Sequence, residues 1–312
     1  MNGKCLDQGI TINTSDRGLK MQDCTTSNNQ KWGFNYDNQI VSKANTASCI
    51  EALSGIANGS ILAMNPCNTS NNQKWNFAEI AYLTDLTKIN VRVNLSGAWN
   101  NTNKLMNKDL NTNNRIPLNQ PYCTAPWNYC GTENIPSRAN IDQSAVDWVL
   151  IEIKNSAGTT IQRKAALITN DAYLTDAAGI NNPGIFYPVI FDNITTSGNY
   201  KIIVRHRNHI AIATDANVTL SPGTNTVDLT KNVNVRAANQ NLVSTVNGVS
   251  TYGMRYGDVN SDGSIDARDK NTILNTLEAA NSYSKIDINL DSEINAADRT
   301  MISNTDEALE SL

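Results

Sequence analysis

Between residues 258 and 298 the chain sets oxygen-bearing side chains at fixed intervals, and does so twice. The first set is Asp258, Asn260, Asp262 and Asp269, with the Ser264 carbonyl among them. The second is Asp287, Asn289, Asp291 and Asp298, with the Glu293 carbonyl. Each set occupies positions 1, 3, 5, 7 and 12 of a twelve-residue loop. Hard oxygen donors at that spacing suit Ca2+, and two ions are expected. Gly263 at position 6 gives the first loop its sharp turn; Ser292 stands there in the second and predicts a strained residue. Other chemistry is thinly supplied. The only imidazoles are His206 and His209, and on one regular strand their spacing places them on opposite faces, against a shared metal or proton relay. Asp147, Glu152, Asp171 and Asp176 would make a hydrolase pair only if the fold joined two of them. No nucleophile or phosphate-loop motif accompanies them, so the chain reads as non-catalytic.

Each loop leads into a helix-capable stretch, Arg268–Ala280 and Ala296–Leu309, and Ile265 and Ile294 at position 8 are expected to pair between the loops. From residue 247 onward there are 12 acidic and 5 basic residues, a formal charge of -7. Carboxylates so crowded repel without a cation, so folding here should be coupled to metal. Residues 253 to 310 resemble the type I dockerin family, G-D-V-N-S-D-G being the most specific piece. The resemblance implies a helical calcium module that binds a cohesin or closes the end of a surface protein. It also places partner recognition at loop positions 10 and 11, here Ala267 and Arg268, then Ala296 and Ala297.

The first 80 residues repeat. Cys5, Cys24 and N-N-Q-K-W-G-F recur 43 residues later as Cys49, Cys67 and N-N-Q-K-W-N-F. The natural disulfides are Cys5 with Cys24 and Cys49 with Cys67. This pattern resembles the Q-x-W repeat of ricin-type beta-trefoil lectins, with Gln30, Trp32, Gln73 and Trp75 as the signature. The resemblance implies a sugar site at Asp7, Gln22 and Asn29 in one unit and at Glu51, Asn65 and Asn72 in the other. Gln22 and Asn65 stand where an aromatic platform belongs. The two Trp are expected to fill the core and the two Gln to bond backbone. A trefoil needs three units and two are visible, so the third is expected upstream or on a partner chain.

The centre reads as an antiparallel sandwich. Ile89, Val91, Val93 and Leu95 share a strand face. Further strands are expected at Val146–Lys154, Gln162–Thr169, Tyr187–Ile194, Asn199–Thr214, Ala216–Leu220 and Thr226–Leu229. The Pro-broken stretch from 100 to 141 should hold a short helix at Lys104–Leu110 and a loop stapled by Cys123 and Cys130. V-D-W-V-L-I-E-I and G-N-Y-K-I-I-V-R-H-R-N-H resemble a module of secreted bacterial surface proteins.

The fold class expected is mainly β and multidomain: a partial beta-trefoil over 1–80, a beta-sandwich over 81–246 and a dockerin-like helical calcium module over 247–312. Asparagine at about one residue in seven suits short strands and long polar turns. A net charge of -4 without a basic patch argues against nucleic acid. No apolar run of membrane length is present. Paired cysteines point to a secreted or cell-surface protein, and N-G-K-C-L-D after Met1 reads as the interior of a repeat within a longer exported chain. The function expected is a glycan-associated accessory or adhesion protein that binds a polysaccharide and a cohesin-like or self-assembly partner. The alternatives are a structural surface or filament subunit, or the cohesin-binding fragment of a larger polysaccharide hydrolase.

Overall fold

The computed structural model describes residues 4–9, 18–34, 39–53, 55, 60–75, 86–177, 188–235, 240–280 and 282–310. Phe77 of the second repeat and Tyr187 of the expected strand lie outside them. The chain divides into two compact units, Met1–Ile80 and Ala81–Leu312.

In the first unit, β1 (Lys4–Gln8) pairs with β2 (Leu19–Asp23), while β3 (Trp32–Phe34), β4 (Ile40–Ser42), β5 (Ser48–Ala52) and β6 (Leu62–Pro66) form a sheet in chain order. The repeat is kept in register: Cys5 faces Gln22 as Cys49 faces Asn65, and Asp7 faces Lys20 as Glu51 faces Ala63. Disulfides Cys5–Cys24 and Cys49–Cys67 close the two hairpins. Each Asn-Asn-Gln forms one 3-10 turn. The Gln30 amide then bonds the Asp23 carbonyl and the Thr25 N–H, and Gln73 does the same with Pro66 and Asn68. The Trp32 and Trp75 ring N–H groups donate to the Leu6 and Ile50 carbonyls at 3.0 and 2.9 Å. The signature therefore ties each hairpin to the turn after it. Both indoles are half-buried, not the core filling expected of them, and Ile50, Ala63 and Met64 are buried beside Cys49. Replacing Cys49 and Cys67 by Ala reopens a separation of 18 residues and should cost this unit about 3 kcal/mol, read from denaturant unfolding.

The second unit is a sandwich. In its larger sheet, β12 (Leu174–Asp176), β11 (Thr160–Thr169), β10 (Ala145–Asn155), β14 (Gly198–His206) and β15 (His209–Ala213) lie side by side, and β16 (Val218–Leu220) also pairs with β14. The smaller sheet has β7 (Thr87–Arg92) between β13 (Val189–Phe191) and β17 (Gly223–Asp228). The β7–β17 pair is parallel, so the sandwich is mixed where an all-antiparallel one was expected. Ile89, Val91, Val93 and Leu95 are fully buried in one core with Trp148, Leu150, Ile202 and Val204. The helix expected at Lys104–Leu110 is instead strand β9 (Leu105–Met106), paired with β8 (Trp99–Asn100), then a single turn α1 (Asp109–Thr112). The Asn100 side chain accepts the Thr102 N–H at 2.8 Å, favouring a turn there over a helix. The Cys123–Cys130 disulfide is formed.

Two expectations fail in ways that matter for function. The strand expected at Asn199–Thr214 is a hairpin: Arg207 and Asn208 form its turn, and His206 pairs with His209. The two imidazoles are therefore cross-strand neighbours, their ring centres 4.8 Å apart, rather than on opposite faces. The boundary expected at 247 falls inside another hairpin, β18 (Gln240–Val246) and β19 (Val249–Met254), whose turn residues Asn247 and Gly248 both have positive φ. β19 ends in the sandwich, with the Met254 N–H donating to the Asn94 carbonyl at 2.7 Å.

The tail continues as β20 (Ser264–Ile265), α2 (Ala267–Asn275), α3 (Ala296–Ser303) and β21 (Ala308–Leu309). Both helices start at capping boxes, Asp266 with Asp269 and Asn295 with Asp298. They stop short of the expected Ala280 and Leu309 because the following segments leave to pair with loops. Ile265 pairs with Ala308, and Ile294 bridges to Ala279. The two isoleucines thus do not pair with each other, yet a shift of 29 residues carries one pairing onto the other. The same shift relates Val259, Ile265 and Ile273 to Ile288, Ile294 and Ile302; of these six, all but Ile294 share one apolar cluster with Ile210. Among the described residues no helix is long and apolar enough to cross a membrane.

Candidate functional site

Both acidic loops hold the same internal bonds. Asp258 accepts the Asp262 and Gly263 N–H groups, each at 3.1 Å, as Asp287 accepts those of Asp291 and Ser292 at 3.1 and 2.9 Å. Asp269 accepts the Val259 and Asp266 N–H groups, and Asp298 those of Ile288 and Asn295. Asn260 and Asn289 each reach the Asp two residues on, at 3.1 and 2.8 Å. Ser292 has φ +73 where Gly263 has +85, so the second loop holds a side chain in the left-handed region. Ser261 and Leu290 at position 4 repeat this at +60 and +61.

These carboxylates are costly as they stand. Asp258 is 4% exposed, and Asp269, Asp287 and Asp298 are fully buried. Burial, helped by Asp269 and Asp262, pushes Asp258 up to about 7. Burial does the same to Asp287 with Asp298 and Asp291 adding to it, against the pull of Arg207. A divalent cation would neutralise the charge that burial penalises, so the residues present fit Ca2+. Among the described residues no three His, Cys, Asp or Glu side chains form a metal cluster by themselves. Holding an ion would therefore draw on Asn260, Asn289 and the Ser264 and Glu293 carbonyls as well, a donor set that favours Ca2+ over Zn2+. At position 11 Arg268 folds back onto Asp266 and Asp262 at 2.8 and 3.3 Å. Ala267, Ala296 and Ala297 are exposed.

The sugar-site residues fare differently in the two repeats. In the second, the Glu51 carboxylate accepts from Asn65 at 2.8 Å, Asn72 at 2.7 Å and Gln73 at 2.9 Å. Those bonds, Gln73 first and Asn65 next, lower the Glu51 pKa and keep it ionised. Asn65 therefore belongs to a polar cradle, not to a ring platform. In the first repeat, among the described residues, no hydrogen bond joins Asp7 to Gln22 or Asn29. Gln22 is exposed, and Gln30 bonds the Asp23 carbonyl as its counterpart Gln73 bonds that of Pro66, but among the described residues it makes no bond to Asp7 to match the one from Gln73 to Glu51.

The polar centre that spacing did not foretell lies at the His206–His209 hairpin. His206 Nε2 donates to Asp147 at 3.0 Å. The Gly97 N–H donates to His209 Nε2 at 3.2 Å, so the His209 proton sits on Nδ1, which donates to His206 Nδ1 at 3.0 Å and Asn208 at 2.8 Å. This assignment leaves both rings neutral, as burial requires: it lowers His206, and with His206 and Arg207 beside it drives His209 well below its ordinary value. Arg207 at 2.9 Å, Tyr283 at 2.8 Å and the Trp148 N–H at 2.7 Å also donate to Asp147. Burial opposes its charge, yet Arg207, His206 and Tyr283 hold it down to about 2. Among the described residues this chain of bonds ends on the Gly97 N–H and the Asn208 amide, tying the hairpin turn to the sandwich as a clamp. Glu152 bonds Thr160 and Arg205, so Asp147 and Glu152 make no hydrolase pair. Asn208 and Tyr283 carried no sequence signal, since the partners Lys285 and Asp147 lie 77 and 136 residues away from them.

Residues 1–112 match the family model of the ricin-type beta-trefoil lectin domain, and residues 256–305 match that of the dockerin type I domain. No curated protein matches the chain. The lectin match runs past the first unit, although Thr87–Arg92 is the middle strand of the smaller sheet in the second. The two matched families are of non-catalytic kinds, one of carbohydrate-binding domains and one of calcium-binding, cohesin-interacting domains.

Proposed function

We propose that this chain is a non-catalytic extracellular accessory protein that holds a glycan in its first unit and is attached through a calcium-stabilised C-terminal module to a cohesin-like partner. The carrying observation is the Glu51 cradle. An ionised carboxylate fixed by three amides is a preorganised acceptor for sugar hydroxyls, and it sits in a segment that matches a lectin model. With no ring at position 65, contact with the sugar is mainly polar, so affinity per site is low and depends on display in multiple copies. The calcium donors Asp258, Asn260, Asp262, Ser264 and Asp269, with their counterparts Asp287, Asn289, Asp291, Glu293 and Asp298, serve the attachment module and hold two ions in all. Three disulfides support secretion.

Glu51→Ala should weaken binding to a retained glycan at least tenfold while the unit keeps its fold, and Asp7→Ala should change it less than threefold. Calorimetry with the glycan reads both, and wild-type affinity in Glu51→Ala would sink the assignment.

A further inference from the structure

We infer that the sandwich is itself a partner of the calcium loops, the Arg207–Asn208 turn being seated between them so that calcium uptake and the fold of this hairpin form one linked equilibrium. The inference rests on the calcium reading of the tail. The turn touches both loops through backbone and side chain. On the first loop, the Asn208 carbonyl accepts the Gly257 N–H at 2.8 Å, and Ser261 donates to the Arg207 carbonyl at 3.3 Å. Toward the second loop, Asn208 donates to the Lys285 and Asp287 carbonyls at 3.1 and 2.7 Å, and Arg207 bonds the Ser284 carbonyl. Lys285 in turn reaches Ser261 at 3.2 Å, joining one loop to the lead-in of the other.

The apolar anchors are exchanged as well. Ile210 of the hairpin lies in the cluster of the tail, while Leu290 of the second loop lies in the core of the sandwich. Gly97 allows the closest approach: a Cβ there would collide with the Ile288 carbonyl oxygen. Asn113 adds a bond to Ser292 at 2.8 Å, on the residue held at positive φ. Asn208 is fully buried and fixes the carbonyl of the first ligand residue of the second loop. It therefore organises that loop before an ion arrives, and by linkage an ion must protect the hairpin by the same factor as the hairpin raises its affinity.

The test is a calcium titration of the full chain by calorimetry, paired with amide hydrogen exchange over 198–213. Asn208→Ala should weaken calcium binding at one of two sites about tenfold, and calcium should then protect the hairpin less than in the wild type. Asn113→Ala, a milder change at the surface, should weaken the same site two- to threefold and keeps the test open if Asn208→Ala fails to fold. Wild-type calcium uptake with both variants unchanged in affinity and exchange would overturn the coupling alone. A wild-type chain that takes up no calcium would overturn the reading of the loops and the coupling with it.

Discussion

Asp147→Ala should cost the second unit about 3–5 kcal/mol, the largest loss expected from any single substitution in it. The carboxylate is fully buried and receives His206, Arg207 and Tyr283 at 2.8–3.0 Å. Its removal leaves the Arg207 guanidinium, 3% exposed, without its counter-ion and frees the His206 N–H. Tyr283→Phe removes one hydrogen bond to the same carboxylate and should cost about 1.5–3 kcal/mol. Urea unfolding followed through tryptophan fluorescence measures both, since Trp148 adjoins Asp147. A loss below about 1 kcal/mol for Asp147→Ala would mean that the clamp is not what holds the hairpin.

Chelating calcium at pH 8 should loosen residues 257–310 and expose their amides to exchange, and the same treatment at pH 5 should loosen them much less. Asp258 and Asp287 rise from an ordinary 3.8 to about 7 in the folded, calcium-free chain. Between those values the folded state binds more protons than the unfolded one, so the stability these groups confer falls as pH rises from about 4 and is lost once pH passes about 7. Protonation thus does part of what the cation does. It also competes with it: each loop must shed about one proton to take an ion, so apparent calcium affinity should fall about tenfold per pH unit below 7. With free calcium at a hundred times Kd, the stabilisation is about 2.7 kcal/mol. Calorimetric affinities at pH 5, 6, 7 and 8 check the slope. A flat profile would contradict the burial of these carboxylates in the loops.

What the sequence disclosed follows from the reach of its signals. The loops were legible because Asp258 to Asp269 and Asp287 to Asp298 are local and doubled, and the strain expected at Ser292 takes the form of a positive φ. The Q-x-W hairpins were legible for the same reason, with cysteine pairs marking their ends. The sandwich core followed from alternation in Lys88–Leu95. Periodicity misled at Asn199–Thr214, where apolar residues on both sides of Arg207 and Asn208 concealed a turn that carries no Gly or Pro. The His206–His209 contact was lost with it. Local spacing also could not say which segments would cover the edges of the loops. Ile265 and Ile294 each found a partner after the opposite helix, a consequence of the pseudo-twofold packing of α2 and α3. Nor could it show that Asp7 and Glu51, equivalent in the repeat, differ in their surroundings: Gln73 reaches Glu51 as well as backbone, and among the described residues Gln30 makes no such bond to Asp7.

The most direct test of the proposed function is retention on a broad glycan and polysaccharide panel in millimolar calcium, comparing residues 1–312 with residues 81–312. Selective binding by the longer chain, lost from the shorter one, is the result expected of a recognition unit in residues 1–80. Equal binding by both would contradict it and place glycan recognition within residues 81–312, and binding by neither would contradict it and leave a structural surface subunit as the better account.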